Sequence, residues 1–343
     1  MAESLVIFLL PVILSSLPII ALKYSKMYGE ENKKMTEGRL IVRVREETVA
    51  LLLLGATVVF GVMMSAEVGE YVREGMLLAV SSVIPTSLPF MVISDMYVCY
   101  GRPERIGVIR RCFTALFGIG EGGIAPFICG NIGGFPIGAK MCAEAYSRGA
   151  LGKEEAERLI PLSNNPSCAF VVGGVGMGLY GDMRVGVLML ISLYVATLLC
   201  GSITRVRHEN LPLTVDNVNN SYDFIASVRG AGANSITVIS FISVFSGVLG
   251  IIKKRVKYAP LLYVFYAFAE VTNAVKSYSS ATCFKPVTGM ILSTFALGFG
   301  GVSVALQASV FAAAHGLKMR RYFPIKLMEG IISASVFSIL YMI

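Results

Sequence analysis

Four stretches of this sequence set polar groups beside helix-breaking residues inside apolar surroundings. They are Gly133-Gly134-Phe135-Pro136 with Lys140 one turn on, Ser163-Asn164-Asn165-Pro166-Ser167, Glu270-Val271-Thr272-Asn273, and Gly298-Phe299-Gly300-Gly301-Val302-Ser303. A helix broken at membrane depth leaves N–H groups free at one half-helix start and carbonyls free at the other end. The N–H ends attract anions. Pro136 suits the first turn of a half-helix beginning after Gly134. A second N-terminal pole is expected after Gly301. Asn164 and Asn165 add side-chain donors and acceptors, and Pro166 favours the break. Such groups either bind a solute or cap and pack a kinked helix; they do not cleave a substrate.

The charged residues have two readings each. An ammonium in lipid costs roughly 2.5–3.5 kcal/mol on insertion scales, so Lys140 needs a partner or a task. The partner is a solute, or Glu144 four residues later. Glu270, with Thr272 and Asn273, holds a ligand or forms an ion pair with Lys276 or Arg229. No nucleophile–His–acid set, phosphate-binding loop or dinucleotide fingerprint is present, so no enzyme is expected. His208 and His315 stand alone, and the seven Cys lack metal-site spacing. Neither a metal nor another cofactor is expected.

The elements that position these stretches follow from composition. The 343 residues are 55% hydrophobic and 15% charged, with mean hydropathy +0.69. That is an all-α polytopic membrane protein, because no soluble domain of this size hides so much apolar surface. The net charge of +8 sits in short loops and reads as a topology signal and lipid-headgroup contact, with no nucleic acid implied. About eight spans are predicted: Ser4–Leu22, Thr48–Ala66, Gly75–Tyr100, Leu159–Leu179, Val185–Ile203, Ile225–Ile252, Val287–Ala314 and Leu327–Ile343. Met1–Lys23 reads as a first membrane helix rather than a cleaved signal. Lys23–Glu47, Gly101–Arg111 and Lys318–Lys326 read as basic loops, Glu67–Glu74 as a short acidic one and Glu209–Tyr222 as a polar one.

Cys112–Ser147 is too long for one span and broken by glycines, so it is predicted to be a re-entrant hairpin. Pro260–Ser280 is predicted to be a second. Each hairpin precedes a broken helix at similar spacing, which predicts an inverted repeat. The organisation is residues 1–74 with N-terminal helices and a basic loop, 75–208 as the first repeat and 222–343 as the second.

The set Gly133-Gly-Phe-Pro-Ile-Gly-Ala-Lys140, Gly152-Lys-Glu-Glu-Ala-Glu-Arg-Leu159, Ser163–Ser167, Glu270–Asn273 and Gly298–Gln307 resembles the YlbJ-type sporulation integral membrane proteins. Asn165 is followed by Pro166-Ser-Cys168 where the family pattern has Ser-Gly-Pro. The resemblance implies a role in endospore formation, moving dipicolinic acid across the outer forespore membrane. It implies the cell membrane or outer forespore membrane of a spore-forming bacterium as location, and it leaves a homo-oligomer open. It also looks distantly like the gate of concentrative nucleoside transporters, where two hairpins and two unwound helices enclose the solute. By that analogy Gly133, Gly134, Phe135, Pro136, Lys140, Ser163, Asn164, Asn165, Ser167, Glu270, Thr272, Asn273, Gly301, Ser303 and Gln307 surround a small planar anion. The alternatives are a nucleoside-type carrier and a non-transporting scaffold of a spore-assembly complex.

Overall fold

The computed structural model describes residues 65–100, 107–205, 223–256 and 258–343. The expected span Ser4–Leu22, the loop Lys23–Glu47, nearly all of Thr48–Ala66 and the loop Glu209–Tyr222 lie outside them, as do Arg102 and Arg105. The chain divides into one unit through Tyr71 and a compact unit Val72–Ile343. The second unit carries all four broken stretches. Every regular element among the described residues is helical.

Among the described residues five helices are long and apolar enough to cross a membrane: Val68–Ile93, Met183–Ile203, Phe224–Arg255, Pro286–Ala314 and Tyr322–Met342. The pair Gly107–Phe117 and Glu121–Gly133 would make a sixth but bends by 90°. Apolar side chains stay outward on these helices, among them Leu77, Val244, Val310 and Ile339. A helix apolar on its outer face as well as its inner one belongs in lipid. The chain is an integral membrane protein.

Two boundaries differ from expectation. Glu67–Glu74 is not a loop but lies within a helix, α1 (Ser65–Leu78). Its Glu, Tyr, Val and Arg residues lack a strong breaker and continue the helix toward α2 (Ile84–Tyr100) through a π-helical turn at Ala79–Val83. The basic stretch Lys318–Lys326 also ends early. Helix α3 (Tyr322–Met342) starts inside it and takes Lys326 into the protein interior.

The first hairpin is α4 (Glu121–Gly133) and α5 (Ile137–Ser147), joined by Gly134-Phe135-Pro136. Gly134 has φ 86° and ψ −179°, a conformation essentially reserved for glycine. Helix α6 (Lys153–Ser163) then opens with Gly152 as its cap and Glu154 and Glu155 in its first turn, where carboxylates suit the helix dipole. Pro166 disfavours helical backbone at Asn165, and residues 164–167 are unwound. The chain re-enters a helix at Cys168, which runs through the glycine-rich Phe170–Tyr180. The expected span Leu159–Leu179 is thus two short helices around a break.

Arg158 locks this region. It is fully buried and donates to the carbonyls of Gly118 (3.1 Å), Gly201 (2.7 Å) and Phe117, and to Thr204 Oγ1 (3.4 Å). Glu155 accepts from Gly120 N at 2.6 Å, at the start of α4. One turn of α6 therefore caps carbonyl ends with a cation and an N–H end with an anion.

The second hairpin is α7 (Ala259–Ala269) and α8 (Val271–Ser279), hinged at an extended Glu270. The second broken helix is α9 (Pro286–Phe299) and α10 (Gly301–Ala314). Its break is confined to Gly300 and Gly301, both with φ near 80°. The two halves run on as one span, so less backbone is freed than Gly298–Ser303 suggested.

Candidate functional site

The tips and breaks converge. A Cβ on Gly134 would stand 2.7 Å from Ser167 N, so the first hairpin tip rests on the unwound segment after α6. A Cβ on Gly301 would lie 3.2 Å from the Ala269 carbonyl oxygen, so the second break rests on the second hairpin. A Cβ on Gly300 would lie 3.8 Å from Phe135 Cζ, linking the first tip to the second break. A side chain at Gly134 would force the tip and the unwound segment apart, while the approach at Gly300 is ordinary van der Waals contact.

Where they meet, a cleft is lined by Phe135, Ser167, Glu270, Thr272 and Gln307, with Ser87 of α2 completing its polar wall. Its volume is about 30 Å³, room for one or two waters and not for a ring. A solute enters only if the tips move. Ser87 and Ser167 hydroxyls lie 3.2 Å apart. Gln307 Nε2 donates to Ser303 Oγ at 3.4 Å, while its Oε1 is buried without a hydrogen-bond partner among the described residues. An orphaned acceptor costs about 1–3 kcal/mol, so it is a place for an incoming donor.

Glu270 is 1% exposed. Its carboxylate accepts from Thr272 N at 2.9 Å, Asn273 N at 2.7 Å and Asn273 Nδ2 at 2.8 Å. Asn273 also donates to Ser246 Oγ at 2.8 Å. Neither Lys276 nor Arg229 is among these partners. Glu270 thus occupies the N–H pole of α8 with its own charge.

The remaining predicted residues fall elsewhere. Gly133, Gly134 and Pro136 shape the first tip without lining the cleft. Lys140 is also absent from the lining; its Nζ is 3.9 Å from Glu144 Oε1, and its side chain is 29% exposed. That is the alternative of pairing within its own helix. Ser163 accepts from Cys142 Sγ at 3.5 Å. Gly301 and Ser303 are buried in the first turn of α10, where Ser303 accepts from Gln307.

Asn164 and Asn165 enter a second polar cluster, behind the unwound segment. Asn165 Nδ2 donates to Asn131 Oδ1 (2.9 Å) and Thr197 Oγ1 (3.0 Å), and its Oδ1 accepts from Lys326 Nζ (2.6 Å). Lys326 also donates to Glu329 Oε2 (2.9 Å) and to the Asn164 carbonyl (3.3 Å). Thr197 donates to Glu329 Oε1. Asn164 Nδ2 donates to Tyr322 OH at 2.9 Å. All seven residues are buried. Sequence reasoning missed Asn131, Thr197, Tyr322 and Lys326, and left Glu329 without an assigned role. The signal was Lys326-Leu-Met-Glu329, an i,i+3 acid–base pair opening an apolar run.

Among the described residues no group of three or more His, Cys, Asp or Glu could hold a metal ion.

Comparison with known proteins agrees with the motif resemblance. The chain is 22% identical over 326 residues to the sporulation integral membrane protein YlbJ of Bacillus subtilis (strain 168), an alignment covering 82% of this chain and 79% of that protein. No family model and no solved structure matches.

Proposed function

We propose that this integral membrane protein is a solute transporter of sporulating cells, and that the cleft between the hairpin tips is its binding site. The observation that carries the reading is the meeting of two hairpin tips and two helix breaks at Phe135, Ser167, Glu270, Thr272 and Gln307. Irregular backbone at membrane depth is tolerated where it lines a cavity, and transporters place their sites there.

The hairpin arms α4 and α5 hold 13 and 11 residues, about 16–20 Å at 1.5 Å per residue. That is short of the ~30 Å hydrocarbon layer. It supports re-entrant hairpins whose tips stop near the midplane; about eight spans and two repeats of opposite orientation belong to the same proposal. The basic segments at Arg148–Lys153 and Lys318–Arg321 then face the cytoplasm of the synthesising cell.

Dipicolinic acid is the solute that the family resemblance implies. The cleft lining includes a carboxylate and neither Lys nor Arg. Dipicolinate therefore enters with its charge compensated by protons or an accompanying cation. In this reading Phe135 stacks on the pyridine ring once the tips have moved apart. The same absence of positive charge favours a second reading, a neutral planar solute of nucleoside type, whose N–H groups would satisfy Gln307 Oε1. A scaffold would need neither the cleft nor its orphaned acceptor.

The test is spore composition in the source organism. Deletion is expected to lower the dipicolinate content of spores, and the wild-type gene to restore it while Gln307→Leu does not. Normal dipicolinate in the deletion strain would exclude this solute.

A further inference from the structure

Lys326 stands apart from the cleft, yet it is fully enclosed against the unwound segment. Its side chain is 0% exposed and its three N–H bonds meet three oxygens of different kinds. These are the Glu329 carboxylate, the Asn165 amide oxygen and the backbone carbonyl of Asn164 at the C-terminal end of α6. Asn164 Oδ1, on the residue whose carbonyl Lys326 meets, is buried with no hydrogen-bond partner among the described residues. Carboxylate, amide and freed helix-end carbonyl are the ligands with which broken transporter helices hold a coupling cation. They are also hard oxygen donors suited to an alkali ion.

We propose that this cluster is a monovalent-cation site whose cation is tethered: the Lys326 ammonium occupies an oxygen cage that takes Na⁺ or K⁺ when that side chain is removed. Charge bookkeeping fits. One ammonium balances one carboxylate, so a free cation added to the intact site would be an uncompensated buried charge. The wild-type protein accordingly needs no alkali ion at this site to hold the unwound segment in place. The inference rests on the cage around Lys326 and not on the transport reading, so either can fail alone.

The experiment compares melting of the purified full chain in detergent at equal ionic strength of NaCl, KCl or choline chloride. Wild type is expected to melt at the same temperature in all three. Lys326→Ala, which empties the cage, is expected to melt higher in NaCl or KCl than in choline, with a saturating dose dependence as ligand linkage requires. Lys326→Ala combined with Glu329→Gln, which removes the cage's charge as well, is expected to lose that response. Folding of Lys326→Ala in alkali salt but not in choline also supports the cage. The proposal is overturned if Lys326→Ala melts alike in all three salts, or folds in none of them, since a refilled cage would hold.

Discussion

The Glu270 carboxylate accepts a hydrogen bond from Asn273 N at 2.7 Å, so a buried acid caps the half-helix that it precedes. The residue that hinges the second hairpin also brings its carboxyl group to the cleft lining. Its structural and its ligand-facing roles are therefore separable only by graded substitution. Glu270→Gln keeps an acceptor oxygen; Glu270→Ala leaves N–H groups of α8 without it. Loss of an N-cap costs about 0.5–2 kcal/mol. Melting in detergent is expected to fall in the order wild type, Gln, Ala. Equal melting of Gln and Ala would show that the cap adds nothing.

Gly130 and Gly138 face the Ser163 carbonyl oxygen, and a Cβ on either would overlap it. The neighbour is backbone and cannot turn aside. Gly130→Ala or Gly138→Ala is expected to destabilise by roughly 1–3 kcal/mol, the usual cost of overpacking. Gly232 has open space around it, so Gly232→Ala should be neutral or gain up to ~1 kcal/mol of helix propensity. Size-exclusion profiles and melting of the three variants check the contrast.

Arg158 spreads its guanidinium over three carbonyls and Thr204. A lysine brings one compact ammonium and cannot reproduce that fork. Arg158→Lys is expected to lose most of what Arg158→Met loses, on the order of 3–5 kcal/mol for stranding buried polar groups. Thermal melts would contradict this if Lys restored wild-type stability.

Much of this arrangement was legible in the sequence. Gly-Gly-Phe-Pro and Asn-Asn-Pro cannot continue a helix, and their flanks are too apolar to leave the membrane, so both breaks had to occur near where they do. Glu270 was visible as the hinge because polar residues interrupt an aromatic run. Lys326 was hidden. It follows Lys318, Arg320 and Arg321 closely enough to merge with a basic loop, and only the helix start at Tyr322 separates it from them. Asn131 and Thr197 sit singly in apolar helices, where periodicity says nothing about a partner on another element. The roles of Asn164 and Asn165 depended on those hidden residues.

Lys140 carries the sharpest revision of expectation. As the full charge that holds a solute anion it would be indispensable; as the partner of Glu144 at 3.9 Å it contributes only about 0.3–0.5 kcal/mol. Lys140→Met is expected to keep both stability and transport. A folded Lys140→Met protein without transport would return the ammonium to the site.

The central claim is that a solute passes through the cleft between the hairpin tips. Uptake of labelled dipicolinate into proteoliposomes tests it most directly, with uridine measured beside it. The account predicts uptake above protein-free vesicles, and a loss of roughly tenfold or more in Gln307→Leu, the factor set by about 1.4 kcal/mol of lost hydrogen bonding. Competition by uridine would move the solute toward the nucleoside type. No uptake of either compound, or undiminished uptake by a folded Gln307→Leu protein, would contradict the cleft as the transport site.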